Sequence, residues 1–216
     1  MKTCIYFAEN QKKLHESSFL LPGFGFTKAG QWRSIPIPGD VIGILIDDRY
    51  LPCREGITTA IRALRDWNGM IILDFERPRT DLLAMLTKGL RGKSLVLPPP
   101  YADCFHEAVL IGPWRGECGF ARWLSRMEAQ YGRVFLDAAP LRMQCFPGGC
   151  RRPWNRPLPD RGYPCPALGC LHRRLPDGSI LFWDSRQTLS ARLTDAAVPQ
   201  IQFSVDWDTL PDIPTE

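Results

Sequence analysis

Asn68-Gly69-Met70-Ile71-Ile72-Leu73-Asp74-Phe75-Glu76-Arg77-Pro78 is the stretch that decides how the chain is read. Met70–Leu73 is an unbroken apolar run, the pattern of a strand buried on both faces of a parallel sheet. The run ends in two carboxylates, Asp74 and Glu76. Side chains alternate along a strand, so residues two apart share a side and lie about 6–7 Å from each other. On a barrel strand both would face inward at the C-terminal mouth, where barrel enzymes keep their chemistry. Paired carboxylates suit acid–base work, because one negative charge beside another favours a proton on one of them. The same residues also fit a solvated strand end paired with Arg77 and Arg79.

Outward from this strand, the pattern alternates. Val41–Ile46 reads as the preceding buried strand and ends in Asp47-Asp48. Gly56–Trp67 has Ile57, Ile61, Leu64 and Trp67 near helical spacing. Thr80–Leu90 places Leu82, Leu83, Leu86 and Leu90 on one helical side, with Thr80 as N-cap. Ser94–Leu97 is a strand closed by Pro98–Pro100, and Ala108–Ile111 a strand stopped by Gly112-Pro113. Phe120–Tyr131 reads as a helix and Arg133–Leu136 as a strand ending at Asp137. Strands alternating with helices through short connections predict an α/β fold with parallel strands and right-handed crossovers. Its expected form is a (β/α) TIM-type barrel, shortened or irregular at the N-terminus, forming one domain over 1–216.

Two regions depart from the alternation. Thr3–Ala8 reads as a short strand, and Phe19–Phe26, with Pro22, Gly23 and Gly25, as an irregular strand or turn in a small β layer. Gln144–Leu175 is rich in Pro, Gly and Arg without apolar periodicity, which predicts an inserted loop. Ser179–Trp183 then resumes a strand, Ser185–Leu193 a helix and Gln200–Val205 a final strand.

A hydrophobic content of 44% and a charged content of 23% are those of a globular protein. The net charge of +4 is too mild to point to a nucleic-acid partner, and none is expected. No apolar run is long enough to span a bilayer, and charge interrupts the first residues before a signal-peptide core can form. A cytoplasmic address with no membrane partner is therefore expected. In that setting eight cysteines read as free or metal-bound thiols.

The order of these features resembles the family 18 glycoside hydrolases, the chitinase-like barrels. Their fourth strand carries Asp-Gly-x-Asp-x-Asp-x-Glu, and Leu73-Asp74-Phe75-Glu76-Arg77-Pro78 is similar to its end. Ser94-Leu95-Val96-Leu97-Pro98 looks like the family's fifth strand. Ser179–Arg186 is similar to the aromatic-acidic strand of its spore-cortex branch. The resemblance covers roughly residues 40–208. It implies hydrolysis of a β-linked N-acetylglucosamine-containing glycan, with Glu76 as the acid and Asp74 orienting the substrate's N-acetyl group, whose carbonyl oxygen attacks the anomeric carbon. No cofactor is implied for that chemistry. The earlier acidic positions of the motif fall on Gly69 or Met70 and on Ile72. The tyrosine of the family's Met-x-Tyr-Asp strand has no counterpart in Ala108–Trp114. A non-catalytic glycan-binding or scaffold protein on the same barrel is the alternative.

Further candidates come from strand ends. Asp47, Tyr101, Trp114 and Asp137 each follow or end an inferred strand, and Trp183 lies on the resumed one; each is a candidate sugar contact or a packing residue. Cys145-x4-Cys150 and Cys165-x4-Cys170 form two matched pairs, with His172 just behind. Four thiolates can hold a tetrahedral structural zinc; four reduced thiols and two disulfides are the other readings.

Overall fold

The structure, a computed structural model, describes residues 4–7, 18–37, 41–75, 80–102, 107–202 and 210–212. The fold is mixed α/β with a mainly parallel sheet. Where the sequence suggests one domain, the chain divides into two compact units: Thr3–Ile111 with Tyr131–Phe135, and Gly112–Gln130 with Leu136–Glu216.

The first unit carries β1 (Cys4–Phe7), β2 (Ser18–Phe26), β3 (Trp32–Arg33), β4 (Val41–Asp47), α1 (Arg54–Leu64), β5 (Met70–Asp74), α2 (Thr80–Gly89), β6 (Ser94–Leu97) and β7 (Ala108–Ile111). β4, β5, β6 and β7 pair in parallel in chain order. On the other side of β4 lies β2, also parallel, with two register irregularities near Pro22 and Gly23. β1 runs parallel to β2, and β3 pairs antiparallel with its end. The N-terminal strand β2 is thus a member of the parallel sheet, not of a separate β layer. Its prolyl and glycyl residues are absorbed as register shifts instead of ending it.

The strands carry two buried faces, as their apolar runs predict. Ile44 and Ile46 of β4, Ile71 and Leu73 of β5, and Leu95 and Leu97 of β6 share a core with Ile57, Ala60 and Leu64 of α1 and Leu82, Leu83, Leu86 and Leu90 of α2. The alternate positions Leu45, Ile72 and Val96 are buried as well. Each such side chain contributes about 1.5–3 kcal/mol when taken out of water, so this double burial dominates the unit's stability. Gly69, at the head of β5, has no room for a side chain. A Cβ there would lie 2.2 Å from the Trp67 ring and 2.6 Å from the Ile42 carbonyl oxygen. An acidic residue at this point of the strand is therefore sterically barred.

The second unit contains α3 (Phe120–Tyr131, to Gln130), the end of β8 (Val134–Asp137), β9 (Arg142–Cys145), β10 (Arg151–Pro153), β11 (Tyr163–Cys165), β12 (Cys170–Arg174), β13 (Ile180–Trp183), α4 (Arg186–Asp195) and β14 (Gln200–Gln202). β14 pairs in parallel with Leu136 and Asp137. β9–β13 form an antiparallel sheet in the order β10-β9-β13-β12-β11. The loop expected over Gln144–Leu175 is therefore most of a second sheet. Its strands are three to five residues long, too short to show periodicity, and contain Pro153 and Pro164. One buried cluster on it joins Leu171, Leu181 and Trp183, with Trp154, Leu158 and Leu175 packed against them, and Met143 and Cys170 are buried as well. A Cβ on Gly162 would sit 2.4 Å from the Trp183 ring, so only glycine lets the backbone cross that indole. No helix among the described residues is long and apolar enough to cross a membrane.

Candidate carboxylate site on the parallel sheet

Asp47 and Asp74 close the last described positions of β4 and β5, and their Cα atoms are register partners. Adjacent parallel strands lie about 4.8 Å apart, so two carboxylates stand side by side at the C-terminal ends of neighbouring strands. Strand alternation fixes which way they face. Ile46 and Leu73, one residue earlier, pack onto the helices. Asp47 and Asp74 accordingly fall on the opposite face, in line with Leu45 and Ile72. Asp74 is exposed and Asp47 half-buried.

Asp47 is held in place on both oxygens. Its Oδ2 accepts from Arg33 Nη2 at 2.6 Å, and its Oδ1 from the Arg49 backbone N–H at 3.1 Å. Arg33 comes from β3, the short strand folded back on β2. The ion pair is partly open to solvent, with the Arg33 and Asp47 side chains 33% and 26% exposed, so it orients the carboxylate more than it stabilises the fold. The sequence singles out Asp47, but the Arg33 partnership needs the β2–β3 turn. Glu76 lies outside the described residues.

The other candidates separate. Tyr101 ends a 3-10 turn over Pro99–Tyr101 and is buried in the core of the first unit, and Trp183 is buried in a cluster with Leu171 and Leu181 in the second. Their rings are packing surfaces, and only burial, which the sequence does not show, distinguishes them from ligand-stacking rings. Asp137 ends β8 half-buried and accepts from the Ala139 backbone N–H at 3.2 Å, as a strand-end turn does. Trp114 is buried, with its indole Nε1 donating to the Cys118 carbonyl oxygen at 3.1 Å.

The four cysteines do not converge. Cys165 and Cys170 face each other across β11 and β12, whereas Cys145 and Cys150 flank the turn between β9 and β10. Cys145 lies opposite Ile180, and Ile180 opposite Arg174, four residues along β12 from Cys170. Two strand spacings across and four residues along separate the two ends by roughly 16 Å, whereas thiolates sharing a zinc each sit about 2.3 Å from it. Among the described residues no group of three or more metal-ligating side chains comes together. Burial pushes the Cys170 thiol well above the usual thiol range, and the nearby Asp184 carboxylate pushes it further.

The sequence reading does not single out a buried ion pair at the start of α4. Arg192 grips the Asp184 carboxylate with both terminal nitrogens, Nη1 on Oδ1 at 2.8 Å and Nη2 on Oδ2. The same carboxylate accepts from the Leu141 backbone N–H at 2.6 Å and from Thr188 Oγ1 at 3.2 Å. Burial pushes the Asp184 pKa upward, while Arg192 opposes that shift. Next to it, Ser185 Oγ accepts from Thr188 N–H at 3.1 Å and Thr188 Oγ1 from Ser185 N–H at 2.9 Å, a capping box. The helix expected over Ser185–Leu193 carries no sign in the sequence of the pairing of Asp184 with a residue two helical turns later. No protein-family model, curated protein or solved structure matches the chain.

Proposed function

We propose that the protein is a glycoside hydrolase-like protein acting on β-linked N-acetylglucosamine-containing glycans. The observation that carries this reading is the register match of Asp47 and Asp74 at the C-terminal ends of adjacent parallel strands, on the face turned away from the helices. In this reading Asp74 orients the substrate's acetamide, Glu76, two residues on, protonates the glycosidic oxygen, and the acetamide oxygen attacks the anomeric carbon. Asp47, fixed by Arg33, supplies the neighbouring negative charge that Gly69 and Ile72 do not. A closed (β/α) barrel belongs to the same proposal and is supported by the parallel order β2-β4-β5-β6-β7 with helices following β4 and β5. So does a cytoplasmic address, supported by free thiols on six cysteines.

A glycan-binding protein without turnover is the second reading. It is favoured by the burial of Tyr101, which removes one of the candidate sugar contacts. Turnover of a fluorogenic chitobioside separates the two. Wild type is expected to hydrolyse it, and Glu76→Gln to lose about 10²–10⁴-fold in kcat, the usual contribution of a general acid. Asp74→Asn is expected to fall comparably. Chitin-oligosaccharide binding without turnover selects the second reading, and the absence of both turnover and binding overturns the glycan assignment.

A further inference from the structure

We propose that the second unit carries a binding cleft for a small ring-bearing oxyanion, a carboxylate or phosphate on a sugar-sized ring. The cleft encloses about 670 Å³, within the range of roughly 300–1,000 Å³ usual for small-molecule sites. It is lined by Arg115, Arg142 and Arg156 together with Trp114, Trp154 and Asn155, and prolines fill out its walls. No acidic residue lies among its lining residues, whereas three arginines do.

Arg142 of β9 is one of the lining residues. Its Nε is enclosed by protein and has no hydrogen-bond partner among the described residues. Buried donors almost always have a partner, and Trp32 Nε1, Arg33 Nε, Trp67 Nε1 and Trp183 Nε1 share this lack, so the cleft rests on its lining and not on this atom. A guanidinium presents its donors as a rigid planar fork that matches a carboxylate or phosphate edge. An oxyanion in the cleft would therefore meet arginine charge with no acidic residue in the lining.

Beside this fork stands a ring-sized apolar wall. Trp154 is half-buried, its indole Nε1 donates to the Pro157 carbonyl oxygen at 3.2 Å, and the Arg156 guanidinium lies 5.6 Å from the ring centroid. A fixed indole beside cations suits a ring that bears the anion better than a bare ion. The floor is also rigid. Trp114 is covered by the Arg192 guanidinium at 4.7 Å, and Arg192 is locked to Asp184, which in turn holds the Leu141 backbone N–H. Two lining residues, Trp114 and Leu141, are thereby braced by one buried ion pair, so the cleft is set before a ligand arrives.

Isothermal titration calorimetry with glucuronate, glucose 6-phosphate and glucose tests this. At least one of the two anions is expected to bind, glucose at least tenfold more weakly, and the preferred anion identifies carboxylate or phosphate as the source. Arg142→Gln is expected to weaken anion binding about 10–100-fold, as loss of a charge-assisted hydrogen bond does. Arg173→Gln, an exposed β12 arginine outside the cleft, is expected to leave binding unchanged. Should Arg142→Gln unfold the chain, the exposed Arg156→Ala carries the same test. Absence of binding by both anions, glucose binding as tightly as they do, or equal losses from Arg173→Gln and the cleft variants would overturn the proposal.

Discussion

The parallel sheet and the antiparallel sheet of this chain are stabilised by different physics. In the first, strands β4–β6 bury both faces, and one core runs from Phe24 through the α1 and α2 leucines to Tyr101. In the second, the cluster around Trp183 holds three buried residues, and polar ties stand beside it: the Asp184–Arg192 pair, the Ser185–Thr188 capping box, and arginine–aromatic contacts at Phe146, Trp154 and Trp114. Apolar burial is non-directional and adds up over many residues. Polar ties are directional and concentrate their effect in a few residues. The contrast implies that the first region tolerates many single changes in part, whereas the second fails abruptly at particular positions.

The largest expected effect is at Asp184. Asp184→Ala leaves Arg192 buried without its partner and is expected to destabilise by about 3–5 kcal/mol, measured by urea unfolding. Adding Arg192→Met should restore part of that loss, because the unpaired charge goes with it. A cost under about 1 kcal/mol for the single variant would break the comparison, since the pair would then not be holding the region. Leu83→Ala on the fully buried face of α2 is expected to cost about 3 kcal/mol by the same measurement. A loss no larger than that of an exposed leucine would show that the helix-facing core is not what sustains the parallel region. The smallest effect, about 1 kcal/mol, is expected for Ser185→Ala, which removes the α4 cap. Ser185→Thr should retain most of it, and equal losses from both would transfer the role from the cap to packing.

This division also explains what could be read in the sequence. Met70–Leu73, Ser94–Leu97 and Ala108–Ile111 are strands in the structure at the positions their apolar runs indicated, because burial on both faces writes itself into every residue. β10 and β11 were unreadable: three residues each, with proline, they are strands only because a neighbour supplies the pairing. Asp74 was legible as a strand-end carboxylate, but its match with Asp47 depends on the register between two strands separated by a helix. Tyr101 and Trp183 stood out as aromatics near strand ends, and whether such rings meet solvent or core is decided by tertiary packing. Arg33 and Arg192 were indistinguishable from surface arginines until their carboxylate partners were in place.

Leu141 and Asp184 are joined twice, by Leu141 N–H to the Asp184 carboxylate and by Asp184 N–H to the Leu141 carbonyl oxygen at 2.9 Å. The whole antiparallel sheet is strung between these two residues, so it leaves and re-enters the chain at nearly one point. A segment with such closely spaced ends can be lengthened, shortened or exchanged while the span its flanks must bridge stays constant, and a longer excursion adds only slowly to the entropy of closure. The sheet thus has the anatomy of a removable cassette that carries Arg142, Trp154 and Arg156 while Trp114 and Arg115 stay behind, and grafting or deleting it between those two anchors is the natural way to give this α/β scaffold a different recognition surface.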